Sequence, residues 1–136
     1  MLITLRNNLS EIERLASAVM QFGRDNSFSD KDIFDINLAL EEVVNNIISY
    51  AYKDKNEHQI NIHLELEGAE LVLKVEDDGI PFNPLEVPEP DVNKPLEERQ
   101  PGGLALFFVR NLTYKLEYRR DKDKNIFIMR KKIQDR

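Results

Sequence analysis

Ile33–Tyr52, IFDINLALEEVVNNIISYAY, is the stretch on which the reading of this chain turns. Ile33, Ile36, Leu40, Val43, Val44, Ile47 and Ala51 recur at steps of three and four, the period of a helix with one buried face. Within that helix lie Glu41, Glu42, Asn45 and Asn46. Residues four apart stand one turn apart on a common face, so Glu42 and Asn46 form a pair, and so do Glu41 and Asn45. A carboxylate that can take a proton, beside a carboxamide that can hold a metal or a water, is a candidate catalytic pair. The plain alternative is a solvated stripe of helix-favouring glutamate with two ordinary asparagines. Helical periodicity does not choose between the two registers.

Upstream of this helix, Met1–Arg6 reads as a short strand. Ser10 followed by Glu13 has the spacing of a capping box, opening a first helix with Ile12, Leu15, Ala16, Val19 and Phe22 on one stripe. Ser29 followed by Asp32 caps the second helix in the same manner, and that helix is expected to run to about Lys53. Downstream the period changes to two. Ile60, Ile62, Leu64 and Leu66 alternate with Asn61, His63, Glu65 and Glu67, the pattern of a half-buried strand. Gly68 turns the chain into a strand with Leu71, Leu73 and Val75 on its inward face. Asp77 falls on that same face. A carboxylate there is expensive unless something donates to it, so Asp77 calls for a ligand, or else caps the turn at Gly79.

All six prolines lie between Pro81 and Pro101. The aperiodic segment 83–101 is expected to be a long excursion over a site, because structureless loops of that length are uncommon in compact domains and are often lids. Gly102-Gly103 then opens into LALFFVRNL, a short helix pattern whose free backbone N–H groups would suit an anion. Tyr114–Arg120 and Asn125–Ile133, joined by the turn Asp121–Lys124, read as a closing hairpin. The expected fold is an α/β two-layer sandwich: a mixed, largely antiparallel sheet of about five strands with three main helices on one face.

The chain has 136 residues and no cysteine, with 41% hydrophobic and 32% charged residues and a net charge of −6. This describes one domain (residues 1–136) without disulfide or thiolate chemistry. The negative charge argues against direct, nonspecific nucleic-acid binding. No apolar run reaches the roughly 18–20 residues of a membrane span, and the N-terminus lacks a signal peptide's apolar core, so the expected location is the cytoplasm. The basic residues between Arg110 and Arg136 read first as the solvated face of strands, and second as a surface for an acidic partner. His58 and His63 sit on a strand with no cysteine or histidine cluster, so a metal role for them is not expected.

The three pieces, LEEVVNNIISYAYK, VEDDGIPFNP and PGGLALFFVRNL, resemble in order and spacing the GHKL ATPase superfamily, and within it the serine/threonine kinases of the bacterial anti-sigma factor branch. Aligning Ala51-Tyr52 with the His-Ala-Tyr run of that branch selects Glu42 and Asn46, with Tyr50 where histidine is common. The resemblance implies that Glu42 positions or deprotonates the attacking hydroxyl, that Asn46 holds Mg2+, and that Lys53 lies near the phosphates. It makes Asp77 the acceptor for the adenine amino group, Gly79 the residue that leaves room for the base, and Gly102 and Gly103 the phosphate loop. Ala105 stands where the family has a third glycine.

What the resemblance implies is a cytoplasmic kinase using ATP and Mg2+, with 83–101 as an ATP lid. Its substrate would be a serine on a small antagonist (anti-anti-sigma-like) protein, its alternative partner a sigma factor, and a homodimer is expected on the same ground. Two other functions fit the same motifs. One is an ATP-dependent docking switch without phosphotransfer, which Ala105 and Tyr50 favour. The other is a detached histidine-kinase catalytic domain, against which stand the Pro81-Phe82 ending and the lack of an upstream phosphoacceptor helix pair.

Overall fold

In the computed structural model, which describes residues 1–83 and 112–133, the chain follows β1 (Leu2–Arg6), a 3-10 turn (Leu9–Glu11), α1 (Ile12–Asp25), α2 (Asp30–Tyr50), β2 (Gln59–Glu67), β3 (Glu70–Asp77), β4 (Lys115–Asp121) and β5 (Lys124–Lys132). The five strands form one sheet in the order β1-β2-β3-β5-β4. Every pairing among the described residues is antiparallel, so the mixed character expected of the sheet is absent from its ladders. The reason is topological. β3 and β4 do run in the same direction, but the returning arm of the hairpin, β5, lies between them.

Alternation builds the core. Leu5, Ile60, Ile62, Leu64, Leu71, Leu73, Val75, Phe127 and Met129 face one way and pack into a single cluster with Leu15 and Val19 of α1 and Ile36, Leu40, Val43 and Ile47 of α2. Asn61, His63, Lys74 and Glu76, on the opposite face, are half-buried. The helices therefore cover one face and water meets the other, as antiparallel sheets allow. Leu40 is fully buried; truncating such a side chain to alanine costs about 2–5 kcal/mol. The third helix expected from LALFFVRNL, the segment 84–101 of the lid, Gly102, Gly103 and Ala105 lie outside the described residues.

Helix entry follows local chemistry. Ser29 Oγ accepts from Asp32 N–H at 3.0 Å, as its spacing predicts. The Ser10–Glu13 box does not form. Asn8 Oδ1 instead accepts from Ser10 N–H at 2.9 Å and starts the 3-10 turn, while α1 begins after Glu11 without a side-chain cap. The Glu11 carboxylate is engaged elsewhere, by Arg6 and Arg14 at 2.8 Å each.

α2 is not simply amphipathic. Asp32, Asp35, Ala39, Glu42 and Asn46, at steps of three and four, are all buried and form a stripe alongside the apolar one. At its N-terminal end the stripe meets Lys131, inward-facing on β5, whose Nζ lies 3.7 Å from both Asp32 and Asp35. Lys31 adds a second cation to Asp35 at 2.7 Å. At the other end, around Glu42 and Asn46, no cation answers among the described residues.

Candidate active site

The register of α2 separates the paired residues from their neighbours. Glu42 is 8% exposed and Asn46 1%, whereas Glu41 is exposed and Asn45 half-buried. Glu42 Oε1 and Asn46 Nδ2 are buried without a hydrogen-bond partner. A buried polar atom left unpaired costs about 1–3 kcal/mol, and native structures keep few of them. Burial, reinforced by the charge of Glu41, pushes the Glu42 carboxyl up to about 7. That places its proton where a general base is most useful.

α2 ends at Tyr50 rather than about Lys53 because the chain is diverted there. The Ala51 N–H still donates to Ile47, but the Ala51 carbonyl accepts from Ile80 N–H at 2.8 Å. Gly79 is pressed against this carbonyl: a Cβ at Gly79 would sit 2.4 Å from Ala51 O. The end of the helix and the turn after β3 are thus docked directly on each other.

Asp77, the last residue of β3, is 2% exposed. Its Oδ1 accepts from Gly79 N–H and from Asn125 Nδ2, each at 2.8 Å. The turn-capping role read from sequence is therefore real, and it occupies one oxygen. Oδ2 carries no hydrogen bond among the described residues. Burial pushes the Asp77 carboxyl upward, and the two donors oppose that shift.

Beside this turn opens a cleft of about 300 Å³, bordered by Tyr52, Lys53, His58, Gly79 and Arg120 among others. Lys53 is exposed at its rim. The Tyr52 ring stacks on His58 at 4.4 Å, and its hydroxyl is buried without a partner. Burial, together with Asp77 and Asp78, drives the phenol well above its ordinary range. His58 links two segments, with Nε2 2.7 Å from Asp54 and Nδ1 3.1 Å from Asp78. These carboxylates, Asp54 foremost, raise the imidazole's affinity for a proton.

Of the sequence-chosen residues, Glu42 and Asn46 lie buried on the C-terminal half of α2, Lys53 lies just beyond its end, and Asp77 and Gly79 belong to the end of β3 and the turn docked on Ala51. Sequence reasoning passed over Asn125, Arg120 and Tyr52. A signal existed for Asn125. It alternates with Phe127 and Met129 on β5, so a polar side chain falls on the inward face, as at Asp77.

The donor set can be tested against ATP and magnesium. Among the described residues no group of three or more His, Cys, Asp or Glu could hold an ion unaided. Mg2+ does not need one, since it commonly takes one or two protein oxygens and completes its shell with phosphates and water. Asn46 has no hydrogen bond fixing which terminal atom it presents. Glu42 and Asp77 offer acceptors. The residues fit the pair of cofactors.

Comparison with known proteins agrees. Residues 5–131 match the family described as the histidine kinase-like ATPase domain. The chain is 30% identical over 87 residues to the serine/threonine-protein kinase BtrW of Bordetella bronchiseptica, covering 64% of this chain and 61% of that protein. It is 31% identical over 111 residues to the serine-protein kinase RsbW of Bacillus mycoides, covering 79% and 68%. In three dimensions it resembles the crystal structure of the RsbU and RsbW domains of a Mycobacterium tuberculosis protein. That match has a TM-score of 0.66 at 16% identity, over 98% of this chain and 32% of the other. No helix among the described residues is long and apolar enough to cross a membrane. The order of the motifs, the antiparallel sheet with helices on one face, and the match over 5–131 lead to one conclusion: this chain belongs to the histidine kinase-like ATPase domain family.

Proposed function

We propose that this chain is a serine/threonine protein kinase that uses ATP and Mg2+ and acts on a small antagonist protein, with a sigma factor as its alternative partner. The observation that supports this most is the buried Glu42–Asn46 pair, with Glu42 Oε1 and Asn46 Nδ2 unpartnered, on the helix whose C-terminal end is docked on the turn after Asp77. Mg2+ would supply charge neutralisation on the transferred phosphoryl group, for which positioning and electrostatics carry most of the catalysis. Asn46, whose side chain is uncommitted among the described residues, would hold the ion through its carbonyl oxygen. Glu42, with a proton affinity near neutrality, accepts the proton of the attacking serine hydroxyl. Asp77 Oδ2 would accept from the adenine amino group, and Gly79 would leave space for the ring. Lys53 lies at the cleft rim, where it can meet phosphate charge. The roles of 83–101 as a lid and of Gly102 and Gly103 as the phosphate loop, and the cytoplasmic location, rest on the sequence, and the homodimer rests on the resemblance.

Incubation with labelled ATP and Mg2+, with and without antagonist proteins bearing a serine acceptor, tests the proposal. Transfer to serine supports the kinase. ATP binding without transfer to any antagonist supports the docking switch instead. That second reading is favoured by Tyr50, whose ring packs 5.9 Å from Phe82 in place of the family's histidine.

A further inference from the structure

Asn125 is 2% exposed and lies directly across the β3–β5 ladder from Asp77. Its side chain joins three parts of the fold. Nδ2 donates to Asp77 Oδ1 at 2.8 Å and to the Ile80 carbonyl at 2.7 Å. Oδ1 accepts from Tyr118 Oη at 2.6 Å, Phe82 N–H at 3.1 Å and Arg120 at 3.2 Å. The Ile80 carbonyl can only accept, whereas the Phe82 amide and the Arg120 guanidinium can only donate. The amide of Asn125 therefore has one permitted orientation: turned round, it would keep only the contact with the Tyr118 hydroxyl, which can also accept, and lose the other four.

This fixed polarity has a consequence for Asp77. Two N–H donors aimed at Oδ1 oppose the upward push of burial on this carboxyl and leave Oδ2 as the acceptor. A purine with an amino group at position 6 offers a donor to that oxygen. A 6-oxo purine offers a second acceptor, and sites built around a particular buried hydrogen bond reject the analogue that cannot make it.

We propose that Asn125 is a positioning residue that fixes Asp77 as a pure acceptor and so selects 6-amino over 6-oxo purine nucleotides. This rests on the reading of Asp77 as the residue that meets the base. Arg120, which also donates to the Gly79 carbonyl at 2.7 Å, and Tyr118 hold Asn125 in that orientation from the neighbouring strand.

The test is calorimetric titration of the full chain with Mg2+ and either ATP or inosine triphosphate, from pH 6 to 9. The wild type is expected to bind ATP at least about tenfold more tightly. Asn125→Ala, its fold checked by circular dichroism, should lose about tenfold or more in ATP affinity and far less for inosine triphosphate, so the preference narrows. Asn125→Asp is nearly isosteric and carries the test if the alanine variant does not fold. Its new carboxyl must keep a proton to replace the lost amide N–H against Asp77, so ATP affinity should fall more steeply as pH rises than in the wild type, whose profile carries the titration of Glu42. Variants that weaken both nucleotides equally and keep the wild-type pH profile would make Asn125 a staple of the turn and overturn the proposal, leaving the base assignment intact. A wild type that binds ATP no better than inosine triphosphate, or not at all, would overturn the reading of Asp77, and the proposal with it.

Discussion

Glu11 and Glu42 are buried to nearly the same extent, 6% and 8% exposed, yet their proton affinities are driven in opposite directions. Glu11 accepts from Arg14, from the Arg6 side chain and from the Arg6 backbone N–H, and these hold it at about 2. Glu42 receives no donor to Oε1 and has Glu41 beside it, which with burial brings it to about 7. Burial alone does not decide whether a carboxylate is charged; the donors built around it do. α2 repeats the contrast along its own length. Its buried acids Asp32 and Asp35 have Lys131 between them, although Asp32 Oδ2 lacks a hydrogen bond, whereas Glu42 Oε1 and Asn46 Nδ2 have neither a hydrogen bond nor, among the described residues, a cation. A nearby cation marks the carboxylates of the architecture, and Glu42, with none among the described residues, stands apart from them.

The strongest way to break this comparison is Glu42→Gln, which keeps size and removes the base. Phosphotransfer to the antagonist should fall roughly 10²–10⁴-fold, the range for losing a general base, while ATP binding measured by calorimetry survives. Equal turnover in wild type and variant would place Glu42 with the architectural acids after all. Asp77→Asn replaces an acceptor with an amide that can present a donor, and should weaken ATP about 10–100-fold. An unchanged dissociation constant would remove Asp77 from the base site.

Stability sharpens the same contrast. The folded-state affinity of Glu42 for a proton is raised from 4.5 to about 7. The unfolded chain therefore ionises this group first, and stability declines as pH rises across that window. Glu42→Gln should accordingly stabilise the ligand-free protein at pH 8 by up to about 3 kcal/mol and give no advantage below pH 4.5. Thermal melts at the two pH values decide it. Glu11 has the opposite sign: lowered from 4.5 to about 2, it contributes stability that is present above pH 4.5 and is lost as pH falls to about 2. Glu11→Gln should lower the melting temperature at pH 7 and flatten the acid limb of the melting curve. An unaltered acid limb would show that Arg6 and Arg14 contribute nothing there.

Much of this was legible before any coordinates. The switch from helical to two-residue period at His58 marks the boundary between helix and sheet, and the inward place of Asp77 follows from alternation with Leu71, Leu73 and Val75. The choice of Glu42 over Glu41 was not legible from period, since neighbouring residues on a helix satisfy the same spacing within one step. Burial decides it, and burial depends on where the sheet lies. Ser10 misled for a related reason. Its spacing to Glu13 is that of a cap, but Asn8 is closer to the turning chain and Glu11 is held by two arginines. Asn125 was hidden by its place at the start of a hairpin strand, where asparagine is ordinarily a turn residue. Its five partners are Asp77, Ile80, Phe82, Tyr118 and Arg120, and the first three are more than 40 residues away in the chain.

The pressing of Gly79 against the Ala51 carbonyl means that two motifs distant in sequence share one mechanical joint. A nucleotide held by Asp77, as proposed, would also steady the last turn of α2, because the Ile80 N–H cannot leave Ala51 without dragging the β3 turn with it. Fraying of the helix end and release of the base would then be the same opening event. Amide hydrogen exchange at Ile80 should therefore slow on ATP binding, although this amide belongs to no regular element and would otherwise exchange as a loop.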